Sequence, residues 1–125
     1  MEELTTDDAP ASIGPFSQGI RDGDTVYVSG QGPIDPDSGE VISEDVREQT
    51  ARTLENIDAV LGTADCGLDD VVKTTVFVSD MRYYDAVNDT YGEYMSEPYP
   101  ARSAVEVVKL PVDIKVEIEA VASLE

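Results

Sequence analysis

The stretch Pro100-Ala101-Arg102-Ser103-Ala104-Val105-Glu106-Val107, followed beyond Pro111 by Ile114-Lys115-Val116-Glu117-Ile118-Glu119-Ala120, decides the reading of this chain. Both runs are rich in β-branched residues, and they read as two strands over about 101–109 and 114–123, joined around Pro111. Arg102 opens the first. In a strand its guanidinium points at one end of a sheet, where the rigid fork can hold a planar carboxylate with two parallel hydrogen bonds. That suggests a small anionic ligand. Glu119 sits between Ile118 and Ala120 in the most hydrophobic run of the C-terminus, so its carboxylate is either on an outer face or placed in a pocket. Plainer readings stand beside these. An arginine at a strand start is more commonly structural or solvated, and Glu117 and Glu119 share one face with Lys115, so spacing alone leaves both readable as ordinary outward residues.

Working back towards the N-terminus, Pro98 and Pro100 end a helix whose stripe is Tyr84, Val87, Tyr91, Tyr94 and Met95, with Asp80 as its cap. The tyrosines read as core and interface packing with hydroxyls at the rim. Residues 71–78 are almost continuously hydrophobic and read as a buried, central strand. An earlier helix is capped by Ser43, carries Val46, Thr50, Thr53, Leu54, Ile57, Val60 and Leu61 at helical spacing, and ends at Gly62 or Gly67. Before it come a glycine- and proline-punctuated loop over 30–39 and a hairpin, 18–21 and 25–29, turning at Asp22-Gly23-Asp24. The order ββαβαββ is an α+β layout in which two helices cover one face of a sheet. Nothing in the chain covers the other face, so copies of the chain are expected to pack there.

The 125 residues fit one domain, 1–125. Against 27 acidic residues stand eight Lys and Arg, for a net charge of −19. Such a field repels phosphate backbones and disfavours nucleic-acid binding. The acid is spread along the chain as a surface coat, and self-repulsion of that size points to a salt-rich setting, where about 1 M salt screens charges beyond roughly 3 Å. One cysteine, Cys66, and the absence of a secretory pattern lead to the expectation of a cytoplasmic protein with no membrane segment.

No histidine is present, which excludes Ser-His and Cys-His nucleophilic arrangements and counts against a zinc site. Ser29-Gly30-Gln31-Gly32 lacks the helix N-terminus and lysine of a phosphate loop. Asp35-Pro36-Asp37-Ser38-Gly39-Glu40 has its glycine out of place for a calcium loop and reads as a turn.

Several segments together resemble one family. Ile13-Gly14-Pro15-Phe16-Ser17-Gln18-Gly19, Ser29-Gly30-Gln31, Val72-Lys73-Thr74-Thr75-Val76-Phe77-Val78, Val87-Asn88-Asp89-Thr90-Tyr91, Pro100-Ala101-Arg102-Ser103 and Ile118-Glu119-Ala120 look like the reactive intermediate deaminase A (YjgF) family, in order and over nearly the whole chain. The resemblance implies a chorismate-mutase-like α+β fold with a mixed sheet, a homotrimer with clefts between subunits, and hydrolysis of 2-iminobutanoate and 2-iminopropanoate to 2-oxo acids and ammonia without metal or cofactor. It makes Arg102 the carboxylate anchor and Glu119 the residue that positions and activates water, with Ser29, Gly30 and Asn88 completing the substrate pocket. Phe16 stands where the family usually has Tyr, and Ala104 where Cys is usual, keeping only the backbone N–H. The alternatives are a non-catalytic trimeric member that binds small carboxylates or partner proteins and, disfavoured by the charge, an endoribonuclease.

Overall fold

The computed structural model describes residues 1–125. Strands β1 (Glu2–Leu4), β2 (Gly19–Asp22) and β3 (Thr25–Gln31) are followed by helix α1 (Val46–Gly62), β4 (Val71–Val78), α2 (Tyr84–Tyr94), β5 (Ala101–Glu106) and β6 (Val116–Ser123). They form one mixed six-stranded sheet in the order β1-β2-β3-β6-β4-β5, antiparallel throughout except for the parallel pair β4 and β5, which α2 connects. The expected α+β layout holds, with β1 added in front. No helix is long and apolar enough to cross a membrane.

Strand residues facing the helices are nearly all sealed from solvent: Val26, Val28, Val76, Val78, Val116, Ile118, Ala120 and Ala122 meet Leu54, Ile57, Val60 and Leu61 of α1 and Val87 and Tyr91 of α2. Each fully buried Val, Leu or Ile contributes on the order of 1.5–3 kcal/mol, so this layer holds the fold together. The stripe on α1 is the expected one, with two buried amides, Gln49 and Asn56, added to it. Its cap is Asp45 and not Ser43: the Asp45 carboxylate accepts from the N–H groups of Arg47 at 2.8 Å and Glu48 at 3.0 Å, while Ser43 Oγ takes the N–H of Asp45. Asp80 caps a single 3₁₀ turn, Met81–Tyr83, that leads into α2.

β4 has neighbours on both sides, as expected of a central strand, yet only its Val71, Thr74, Val76 and Val78 side is buried; Lys73, Thr75 and Phe77 face the uncovered side. β5 stops at Glu106 and β6 starts at Val116, shorter than the sequence pattern suggests. Both limits fall opposite Val78, the last residue of β4, beyond which single backbone bonds, Ser79 N–H to the Lys115 carbonyl at 3.0 Å and Val107 N–H to the Val78 carbonyl at 2.9 Å, end the ladders. Val108 consequently lies on no sheet face and is fully exposed. Asp35 closes the turn read at 35–40, accepting from the N–H groups of Asp37 and Ser38, which holds its carboxyl below the usual range.

Candidate functional site: two half-sites on opposite faces

Arg102 pairs in register with Thr74, so its side chain leaves the sheet on the helix-covered face at the edge strand. There α2 offers Tyr84, Asn88 and Tyr91, three residues on one helical stripe. Arg102 Nη2 donates to Tyr84 Oη at 3.0 Å and to Asn88 Oδ1 at 2.7 Å, and the guanidinium carbon lies 4.8 Å from the Tyr91 ring centroid and 5.6 Å from that of Tyr84. Tyr91 is fixed in turn by a 2.8 Å hydroxyl contact with the buried Thr74, and burial pushes its phenol up, opposed by that bond and by the Arg102 charge. In a chain dense with carboxylates, the ion pairs are Arg47–Asp89, Arg52–Glu55 and Arg82–Asp80; Arg102 is in none of them. Its partners within the chain are neutral, and Nε and Nη1 are left without one. A cavity of about 330 Å³ opens beside it, lined by Asn88, Tyr91, Gly92, Tyr99, Pro100 and Arg102. A positive group held by neutral acceptors and π-faces at a cavity wall is suited to a ligand carboxylate.

The second half-site is built by a bulge. Val28 pairs with Ala120 and Gln31 with Ile118, so Ser29 and Gly30 together oppose Glu119. The bulge brings the Gly30 backbone against the Glu117 side chain: a Cβ there would meet the Glu117 carboxyl carbon at 2.9 Å and Oε2 at 3.0 Å. Glu117 lines a small hollow of about 140 Å³ with Phe16, Gly30, Gly32, Pro111 and Ile114. Half-burial against this largely apolar wall pushes its carboxyl up, and the neighbouring Glu119 charge adds to the effect. Gln18, itself buried, holds the N-terminal side of this hollow, its Nε2 donating to the carbonyls of Thr6, Ala9 and Pro10 and its Oε1 accepting from the N–H of Thr6.

The structure thus joins Arg102 with Asn88, and Phe16 with Gly30. Ser29 and Glu119 line a different hollow on the uncovered face, of about 540 Å³, with Lys73 and Thr75. Ser29 Oγ donates to the carbonyl of Ser17 at 2.6 Å. Ala104 is half-buried on the helix side, opposite Val76. Glu119 pairs with Thr75 and Glu117 with Phe77, on the face opposite to Thr74 and Arg102. Within one chain neither glutamate shares a cavity with the arginine. Reading the sequence missed Tyr84 and Tyr91 as the arginine's cradle, although their spacing with Asn88 marks one helix face, and missed Glu117 as the carboxylate beside Gly30.

The α+β sheet thus presents, on one face, an arginine with no ion-pair partner in its own chain and, on the other, a half-buried carboxylate. The profile of the Endoribonuclease L-PSP family matches residues 6–124, and the chain belongs to that family, the YjgF/RidA family. It is 48% identical over 124 residues to a RutC family protein of Pyrococcus abyssi, covering 99% of this chain and 98% of that one. It is also 48% identical over 122 residues to a 2-iminobutanoate/2-iminopropanoate deaminase of Salmonella typhimurium, covering 95% and 94%. The crystal structure of Escherichia coli TdcF with bound serine superposes with a TM-score of 0.93 at 38% identity, covering 98% of both chains.

Proposed function

We propose that this protein hydrolyses 2-imino acids of the 2-iminobutanoate and 2-iminopropanoate class to 2-oxo acids and ammonia, in a site completed between copies of the chain. The observation that carries this reading is Arg102, held by neutral partners at a cavity wall with no carboxylate of its own chain paired to it. The deaminase name of the Salmonella relative and the serine bound to TdcF support a small amino-acid-like ligand.

An imine of a 2-oxo acid is already electrophilic at C2, so the protein gains most by fixing the carboxylate and presenting water. Arg102 holds the carboxylate. Glu117 accepts a proton from water as its oxygen bonds to C2 and the imine π electrons move to nitrogen. Glu117 returns that proton to the nitrogen, giving the carbinolamine. It then takes the hydroxyl proton and passes it to the amine, so that the C–N bond breaks, ammonia leaves and the C=O of the 2-oxo acid forms. A carboxyl raised above its usual range holds a proton more readily than a free glutamate, which suits it to taking one from water and returning it to nitrogen. The resemblance gave this role to Glu119; the contact with Gly30 and the half-burial favour Glu117, two residues away on the same face. The scheme uses no metal or organic cofactor.

Because Arg102 and Glu117 leave the sheet on opposite faces, a second copy has to complete each site. The uncovered face, with Tyr27 and Val105 exposed on it, suits packing of copies into the expected homotrimer. The test is ammonia release from freshly generated 2-iminobutanoate in molar salt, together with light scattering. Acceleration over the protein-free rate by a trimer is expected; a monomer, or no acceleration, overturns the reading. A binding protein without catalysis would take up 2-oxobutanoate through Arg102 and release no ammonia.

A further inference from the structure

We propose that Asn56 is a positioning residue for the Glu117 hollow: its amide fixes the Gly32–Ile34 backbone that walls the carboxylate, and Arg52 fixes which way the amide faces. Asn56 lies on α1 and is completely buried. Its Nδ2 donates to the carbonyls of Gly32 and Ile34, both at 3.0 Å, and its Oδ1 accepts from Arg52 Nε at 3.1 Å. Every polar atom of the side chain is therefore used. A reversed amide would set oxygen against two carbonyls and nitrogen against the arginine's N–H, so the bond from Arg52 permits one orientation only.

The two carbonyls belong to the loop that leaves β3 directly after the bulge, and Gly32 and Ile34 both line the hollow that contains Glu117. The loop packs closely on the hollow's other wall, where the space of a Cβ on Gly32 is taken by Ile114 Cδ1, 2.9 Å from where that atom would be. Arg52 also pairs with Glu55 at 3.5 Å, and Glu55 Oε2 accepts from Tyr94 Oη of α2 at 2.8 Å. The loop is thus tied through α1 to the helix that cradles Arg102. Since Asn56 touches only loop backbone and Arg52 through its polar atoms, its effect on chemistry has to pass through the wall of the hollow.

The inference rests on the reading of Glu117 as the group that activates water, and two measurements keep the two apart. Asn56→Asp keeps the shape and removes both donors; hydrogen exchange across residues 30–35 is expected to accelerate about tenfold or more, a readout that does not depend on catalysis. In the same variant, kcat for 2-iminobutanoate is expected to fall about tenfold while KM changes less than about threefold, because the Arg102 cradle is untouched. Ile57→Val, a core change on the same helix, serves as a control that lowers Tm without altering kcat. Should Asn56→Asp fail to fold, Arg52→Lys removes the Nε donor and keeps the charge, and a smaller loss of kcat and of loop protection is expected. Unchanged exchange, or full kcat in a loosened loop, overturns the proposal. Retained turnover in Glu117→Gln overturns the reading of Glu117 instead, while the exchange result still reports on Asn56.

Discussion

Gly30 and Glu117 are fitted to each other: the glycine's missing Cβ is the space that the Glu117 carboxyl group occupies, 2.9 Å from where that atom would be. The obstacle is the far end of a flexible side chain, so Gly30→Ala can be relieved by swinging the carboxylate aside. The expected cost in stability is about 1 kcal/mol or less, with a loss of turnover of roughly tenfold or more. Thermal melts and ammonia release on the same preparation check this; a large fall in Tm with full turnover contradicts it.

Glu117 and Glu119 can be separated by charge removal. Glu117→Gln is expected to abolish most turnover while 2-oxobutanoate still binds, and Glu119→Gln to retain activity within about tenfold. The same substitutions carry a pH signature. A carboxyl raised on folding binds its proton more tightly in the folded chain, so its favourable contribution is complete below the ordinary glutamate range and is lost as pH rises through the raised value. Glu117→Gln should therefore raise Tm at neutral pH, and the gain should fade on acidification below about pH 4. Melting curves from pH 4 to 8 decide it.

Arg102→Lys keeps one positive charge but gives up the planar fork, its two bonds to Tyr84 and Asn88 and its contact with the Tyr91 ring. Turnover should fall by about 10²-fold or more and 2-oxobutanoate binding should weaken in parallel, with the assembly intact. Calorimetric titration alongside kinetics checks it; near wild-type values would remove Arg102 from the role of anchor.

Salt should matter to the whole molecule. With a net charge of −19 and three ion pairs, repulsion is relieved mainly by screening. Lowering salt from about 2 M to about 0.1 M is expected to lower Tm and to loosen the assembly. A melting point flat across that range would assign stability to local pairing.

Much of this was legible in the residues. Alternation and helical spacing located both helices and the main strands, and Arg102 does stand at the start of a strand, β5. β1 escaped notice because three residues carry no period, and its evidence is pairing with β2. The choice between Glu117 and Glu119 was hidden because strand period puts both on one face. What separates them is the bulge at Ser29 and Gly30, a register event between distant strands. Tyr84 and Tyr91 read as packing, and Tyr91 does pack; that both also hold Arg102 depends on α2 crossing over the edge strand β5.

If the site is completed between copies as proposed, Arg102 and Glu117 on opposite faces of one sheet have a genetic corollary. A chain crippled at Arg102 still carries a sound Glu117, and a chain crippled at Glu117 still carries a sound Arg102. Co-expressed in one cell, two inactive alleles would assemble mixed oligomers in which about one site in four draws its arginine from one parent and its glutamate from the other. Two lesions in the same residue could never rescue each other in this way.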